Sequence, residues 1–378
     1  MAYESIDKLQ NALGEKVFHY TKDKKKAAGR ALGTMVEIIS YYLLKTWRFN
    51  NSTSIERGLV EYGNEEISHN VEYSLHPIIK EYEIEIDNDG KSITATKILK
   101  ELENTFDISK FTKKNNTLLD THNVLRNACT IAESNDSFLL ASFKEAGTKK
   151  HKLFVFEQMQ KSYAIFECKR VGVEEGTKKG PQTIEKAKQG AYVARVASSL
   201  QKIRTDSGEK FGIIYQKNNQ PYIKPYMELL EEIIYSKDIK LLQKFILTVG
   251  VVSNHGNWFT ADNHNKELKV LAESYDWLIF LTDNGLAQFI DDLLLNPSKK
   301  YIKIQGAFKS SYTADKKRNV FTKVRMDFEA DKLLLKYFAE NLNNIEQWFN
   351  VIAPVHKTIN ELKSELEELR NKDWGNIR

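Results

Sequence analysis

Cysteine is almost missing from this 378-residue chain: Cys129 and Cys168 are the only two. That is too few to staple a protein of this size, so free thiols in a reducing interior are expected. Proline is also scarce, scattered at positions 77, 181, 221, 225, 297 and 354. With no proline-rich linker and only 18 glycines, collagen-like, low-complexity and beads-on-a-string organisations are excluded. No apolar run approaches the roughly 18 residues that a membrane helix needs. The opening Met1-Ala-Tyr-Glu-Ser-Ile-Asp-Lys8 lacks a charged-then-apolar signal profile, so a soluble, cytoplasmic protein with no membrane partner is expected. A decisive excess of charge is lacking too. Lys and Arg exceed Asp and Glu by 56 to 51, too slight a margin to indicate a polyanion by itself.

What is present is core material, with 41% hydrophobic positions, and patterning that changes along the chain. Over Ala27 to Trp47, Leu32, Met35, Val36, Ile39 and Leu43 recur at helical spacing, which predicts a buried helix. Residues 81–97 alternate around Asn88-Asp89-Gly90 and predict a hairpin. Three apolar runs, Ser137–Phe143, Lys152–Glu157 and Tyr163–Lys169, are separated by short turns and predict a β-meander. Pro181 then opens an Ala-rich helix ending near Arg204. Strands are expected at Phe211–Tyr215, Phe245–Ser253 and Trp277–Leu281, with a helix at Tyr226–Tyr235. The order predicts an α/β fold: a central mixed sheet flanked by helices, with helical N- and C-terminal elaborations. The expected parts are 1–130, mainly helical with a hairpin; 131–290, the sheet core; and 291–378, a basic segment with C-terminal helices, all in one compact unit.

The segment richest in chemistry is Tyr163-Ala-Ile-Phe-Glu-Cys-Lys-Arg170. Strand alternation puts Glu167 and Lys169 on one face and Phe166 and Cys168 on the other. A carboxylate and an amine so placed can hold a divalent cation and steer water against a phosphodiester. The alternative is a structural ion pair. Either way, charges among Ile165, Phe166 and Val171 need a partner or a metal, because unpaired burial costs several kcal/mol.

Phe166-Glu-Cys-Lys-Arg-Val-Gly-Val-Glu174, with strands before it and a helix after it, resembles the catalytic core of PD-(D/E)xK nucleases, and among these the type II restriction endonucleases. The resemblance covers roughly residues 130–205. It implies a restriction-endonuclease-like core over 131–290, Mg2+ as cofactor, Glu167 and an earlier acid as metal ligands, Cys168 as the backbone carbonyl donor and Lys169 as the residue that orients water. No Pro-Asp dipeptide occurs in the chain, so the earlier acid has to come from elsewhere. Asp136, in Ser134-Asn-Asp-Ser137, and Glu145, in the turn of the first hairpin, are the candidates. The resemblance also points to Gln189 and Lys186 on the following helix as contacts to phosphate or the metal water. Glu37 resembles the N-terminal helix acid of some of these nucleases; a pairing with Arg30 or Lys45 is the other reading.

Residues 299–325 carry nine basic side chains against one acid, Asp315, a local excess greater than the +5 of the whole chain. Tyr301, Phe308, Tyr312 and Phe321 are interleaved, and a basic β-ribbon on double-stranded DNA is expected. Lys309, Ser310, Ser311, Lys316, Lys317 and Arg318 are its DNA-binding candidates, with Lys22–Lys26 as a second clamp. Val355, Ile359, Leu362, Leu366 and Leu369 follow heptad spacing. They can pack on Leu333–Phe349 or meet a second subunit, and a two-fold homodimer suits a palindromic duplex. The expected function is therefore a site-specific endonuclease cutting both DNA strands to leave 5′-phosphate ends, for which the resemblance implies a companion methyltransferase of the same specificity. Two other readings stay open: a non-catalytic DNA-binding protein on a degenerate core, and a histidine-metal nuclease built on His255 and His264.

Overall fold

The computed structural model describes residues 6–19, 22–58, 70–170, 201–205, 207, 209–215, 220–225, 228, 229, 232, 247–253, 272, 275–312 and 319–372. The chain begins with α1 (Ile6–Lys16) and α2 (Lys24–Thr46). Asp23 caps α2 by accepting from the Lys26 N–H at 2.9 Å, which satisfies one of the orphan donors of the first turn. Leu32, Met35, Val36, Ile39 and Leu43 are buried as their spacing predicts. Next come β1 (Thr53–Arg57) and β2 (Val71–Leu75).

A long insertion follows: β3 (Ile78–Asp87), β4 (Ile93–Thr94), α3 (Ala95–Leu102), β5 (Thr112–Lys113), β6 (Thr117–Leu119), β7 (Val124–Arg126), β8 (Cys129–Glu133), β9 (Ser137–Ala146) and β10 (Lys150–Met159). The chain then returns as β11 (Ala164–Arg170) and continues through β12 (Gln201–Arg204), β13 (Lys210–Tyr215), β14 (Pro221–Pro225), β15 (Leu247–Ser253) and β16 (Trp277–Leu281). The last part holds α4 (Asp283–Ile290), α5 (Ile302–Ser311), β17 (Arg325–Asp327), α6 (Phe328–Glu340), α7 (Leu342–Glu346), β18 (Phe349–Ala353) and α8 (Ile359–Arg370).

The central sheet is mixed and has six strands in the order β1-β2-β11-β15-β16-β18. β11 lies in its middle, antiparallel to β2 and parallel to β15. Tyr73, Phe166, Cys168, Val249, Val251 and Trp277 join one core with the apolar residues of α2, α4, α6 and α8. The insertion forms a second sheet, β3-β10-β9-β8-β5, with its own core around Ile84, Ile98, Leu139 and Val155. The α/β architecture with a mixed central sheet is therefore as the sequence predicts. Among the described residues no helix is long and apolar enough to cross a membrane.

Several expectations are corrected. β9 and β10 do form a hairpin, but the other neighbour of β10 is β3, so the meander does not continue into β11. The 81–97 hairpin does not form. Gly90 supplies a left-handed turn at φ 71°, but β4 pairs with β6, and Thr94 caps a helix whose Ala95, Ile98, Leu99 and Leu102 are buried at helical spacing. Gln201–Arg204 is strand rather than the end of a helix. The rest of that expected helix, and most of the one at Tyr226–Tyr235, lie outside the described residues. The five-stranded sheet runs across the expected division at residue 130, while β1 and β2 belong with the central sheet.

The basic segment is not a β-ribbon where it is described. Residues 302–311 are helical, and Ile304, Ala307 and Phe308 bury one face at i, i+3, i+4 spacing. At the C-terminus Ile359, Leu362, Leu366 and Leu369 are buried within the main core, and Val355 is 60% exposed. The chain itself covers that seam, so the seam gives no reason for a homodimer.

Candidate functional site

Glu167 is 2% exposed on the middle strand of the central sheet. Its neighbours Phe166 and Cys168 turn into the core that holds α2, so alternation puts the Glu167 carboxylate on the opposite face. Glu167 pairs in register with Gly250 of β15. Gly250 is required there, because a Cβ would stand 2.8 Å from the Tyr275 ring. Burial first, and then the charges of Glu167 and Cys168, hold the Tyr275 phenol well above its usual range. It therefore remains a proton donor beside the carboxylate.

On the other side of β11 the antiparallel register runs Ile165 with Ser74 and Phe166 with Tyr73. That ladder ends there, and the next residue of β2 is Glu72, which is 8% exposed. On the next strand, β1 registers Ile55 with Tyr73 and Arg57 with Val71, which leaves Glu56 opposite Glu72. Glu56 has a left-handed backbone, φ 51°, an uncommon and costly conformation for a side-chain-bearing residue. The neighbouring strands β1 and β2 thus carry acids at one level of the sheet, and β11 carries Glu167 just past the end of its ladder with β2.

The ammonium of Lys323 enters this group. It lies 3.2 Å from Glu37 Oε2 on α2 and 3.1 Å from Glu56 Oε1, and it contacts Glu72 Oε1. The Lys323 side chain is 7% exposed. A turn delivers it. Phe321 bridges to Met326, the Asn127 N–H donates to the Val324 carbonyl at 2.9 Å, and Asn127 Nδ2 donates to the Lys323 carbonyl at 3.0 Å. Several carboxylates around one cation suit a hard divalent ion, which prefers oxygen ligands. By themselves, no three His, Cys, Asp or Glu among the described residues are gathered as a metal-binding group.

The predicted site residues are distributed as follows. Glu167 is buried on β11, and Glu37 pairs with Lys323 rather than with Arg30 or with Lys45, which binds Asp331. Cys168 is buried beside Glu167. Lys169 is in β11, in register with Val252. Asp136 and Glu145 do not join them. Asp136 is exposed between β8 and β9 of the other sheet, and its carbonyl accepts from Gln160 N–H, in the connection between β10 and β11. Glu145, in β9, is exposed and pairs with Lys152 at 3.6 Å.

Lys309 is exposed, but Ser310 and Ser311 serve the fold. Ser310 Oγ donates to the Ala307 carbonyl at 2.9 Å, and Ser311 Oγ accepts from Val320 N–H at 2.8 Å. Lys186, Gln189, His255, His264, Lys316, Lys317 and Arg318 lie outside the described residues. Glu72, Glu56 and Lys323 were missed as site residues. The signal for Glu72 was its place in Val71-Glu-Tyr-Ser-Leu75, a short alternating run with a single acid turned away from Tyr73 and Leu75. No protein-family model, curated protein or solved structure matches the chain.

Proposed function

We propose that the protein is a Mg2+-dependent endonuclease acting on double-stranded DNA, in the manner of the type II restriction enzymes that its Glu167-Cys-Lys169 segment resembles. One observation carries this reading: Glu167 stands on the strand that pairs with the one bearing Glu72, each the next residue after the last pair of that ladder, and Glu37 of the preceding long helix shares Lys323 with Glu72. The resemblance asks for an acid ahead of Glu167, and Glu72 supplies it in place of Asp136 or Glu145. Glu72, Glu167 and the Cys168 carbonyl would hold Mg2+, with Glu37 nearby. When bound, the ion neutralises charge on the attacked phosphate and lowers the pKa of water.

Lys169 is assigned to orienting the water. The Tyr275 phenol, held protonated, keeps a donor near Glu167. The apolar floor of Phe166, Cys168 and Val251 fixes the strand geometry beneath the acids, so that their carboxylates need little reorganisation.

DNA contact is assigned to exposed cations: Lys22 and Lys24–Lys26 at the start of α2, Lys309 and Arg325. Lys24 begins the helix that carries Glu37, about 20 Å further along the axis at 1.5 Å per residue, a span that lets one helix touch both the backbone and the acid cluster. A homodimer and a companion methyltransferase belong to the same proposal.

The test is incubation with mixed-sequence duplex DNA and Mg2+, comparing wild type with Glu167→Ala, Lys169→Ala and Glu72→Gln. Discrete fragments are expected from wild type, with a loss of about a hundredfold or more in each variant. Cutting that persists in Glu167→Ala and Lys169→Ala would overturn the assignment. A second reading, a DNA-binding protein without catalysis, is favoured by the ammonium that already occupies the acid cluster; retarded but intact DNA would support it. Loss of cutting in His255→Ala alone would move the chemistry to His255 and His264.

A further inference from the structure

We propose that the cleft between α6 and the second sheet binds a phosphate-bearing ligand the size of a mononucleotide, with its phosphate held between the guanidinium groups of Arg126 and Arg325. The site is separate from the metal-centre reading, since neither Glu72 nor Glu167 lines this cleft.

Arg126 of β7 and Arg325 of β17 are register partners in an antiparallel ladder, so their side chains leave the same face with Cβ atoms about 5 Å apart. Like charges directly opposite each other in such a ladder destabilise it. Among the described residues neither guanidinium has an acid, a hydrogen bond or an aromatic ring as partner. The buried cations nearby are compensated: Lys45 binds Asp331, and Lys323 binds its three glutamates. The arginine pair is therefore a positive spot that the fold leaves open. A phosphate monoester, close to doubly charged at neutral pH, removes the repulsion, and the planar fork of each arginine matches its oxygens two at a time.

The backbone beneath the pair is fixed. The Thr322 N–H donates to the Arg325 carbonyl at 2.8 Å, and the Arg325 N–H to Thr322 Oγ1 at 3.0 Å. Asn127, next to Arg126, donates its N–H to the carbonyl of Val324, next to Arg325. The two arginines thus keep their register, and binding costs little ordering.

Arg126 also lines the cleft, whose volume is about 290 Å³, enough for one small molecule. Part of its wall is apolar, with Leu118, Leu335 and the rings of Phe143 and Phe328, whose centroids are 4.8 Å apart. That wall suits a flat heterocycle carried by the phosphate. Lys144 and Lys332 line the cleft as well and are bound to the exposed Glu83 and Glu329. Exposed pairs of this kind are weak, so either ammonium can turn to the ligand. The acids of the cleft are engaged elsewhere, Asp331 by Lys45 and Glu145 by Lys152. A free nucleotide and a nucleic-acid backbone present the same phosphate chemistry, and the small volume favours the free nucleotide.

The full chain is titrated by calorimetry in EDTA, which makes the test independent of cutting, with the common ribonucleoside 5′-monophosphates, inorganic phosphate and a short duplex. At least one mononucleotide is expected to bind wild type more tightly than inorganic phosphate does, and to bind Arg126→Met and Arg325→Met about tenfold more weakly or worse. Affinity undiminished in both variants, or no binding of any mononucleotide, overturns the proposal. A duplex that binds with the same arginine dependence, while the mononucleotides do not, would overturn the nucleotide assignment and give the site to backbone phosphate.

A second readout separates binding from a structural role. Because Arg325→Met removes one member of a repelling pair, the ligand-free variant is expected to melt no lower than wild type and to lose the rise in Tm that the nucleotide gives. A clear fall in the ligand-free Tm would make the pair structural and overturn the proposal. In wild type alone, modification of Arg126 and Arg325 by phenylglyoxal, read by mass spectrometry, is expected to drop several-fold with nucleotide. Unchanged modification at saturating nucleotide overturns it as well.

Discussion

Asn127 Nδ2 donates to the backbone carbonyl of Lys323 at 3.0 Å, which ties the turn bearing the buried ammonium to the β7–β8 connection. Asn127 is 5% exposed, so removing its amide leaves a buried carbonyl without that donor. Asn127→Ala is expected to lower stability by about 1–3 kcal/mol, read by urea denaturation. A change within error would show that the turn is held by its backbone bonds alone.

Gly250 and Tyr275 form a steric pair. A methyl group on Gly250 would meet the Tyr275 ring at 2.8 Å, and the ring is 5% exposed, with little room to retreat. Gly250→Ala is expected to cost about 1–3 kcal/mol as an overpacked core. Combining it with Tyr275→Ala should cost less than the sum of the two single changes, because the clash is then absent. Strict additivity in thermal melts would place the strain elsewhere.

Asp331 joins α6 to α2. Its Oδ1 accepts from the Tyr42 hydroxyl at 2.7 Å and from Lys45 Nζ at 2.6 Å. The Lys45 side chain is 13% exposed. Asp331→Ala is therefore expected to destabilise by about 3–5 kcal/mol, the range for breaking a buried pair by removing one partner. Asp331→Ala with Lys45→Met should recover part of that loss, and no recovery in denaturant melts would count against the pair as the cause.

His76 sets an acid limit. Burial first, and then the charge of Arg57, hold its imidazole well below the usual range. Its Nδ1–H donates to the Met159 carbonyl at 2.9 Å, and Nε2 accepts from the Ser74 hydroxyl at 2.8 Å, which fixes the neutral ring. The unfolded chain takes up a proton below about pH 6.5 that the folded ring refuses. The contribution is therefore complete above that pH. It falls by up to about 1.4 kcal/mol per pH unit on further acidification, until the lower folded pKa is reached. His76→Gln should flatten the stability profile between about pH 6.5 and 5, and parallel profiles would assign the acid sensitivity to other groups.

The elements that were legible in the sequence are those that satisfy their own periodicity. α2 announced itself through Leu32, Met35, Val36 and Ile39, and β11 through its alternation around Glu167. The strand beside β11 was not legible, because β2 precedes it by the whole insertion and strands close in sequence are the natural pairs to assume. Glu145 is suggested by simple hairpin pairing and Asp136 by its residue type and local motif; Glu145 lies on the other sheet and Asp136 in the connection between two of its strands. The basic segment misled for a different reason. Its charges drew attention from Ile304, Ala307 and Phe308, whose spacing is helical. Lys323 had no local sign at all, since its role depends on acids from three distant elements.

The insertion begins and ends at nearly one point: the Met159 N–H donates to the Pro77 carbonyl at 3.0 Å, and the Tyr163 N–H to the Leu75 carbonyl at 2.8 Å. In topological terms β2 and β11 are the two arms of a hairpin whose loop is itself a folded module with its own core. Loop closure grows costlier with the logarithm of the free chain between the ends. Once the module has condensed, that free length shrinks to a few residues. The pairing of β2 with β11, remote along the chain, thereby becomes short-range in the order of folding, and the two strands that carry Glu72 and Glu167 inherit their timing from a region that contributes no strand to their sheet.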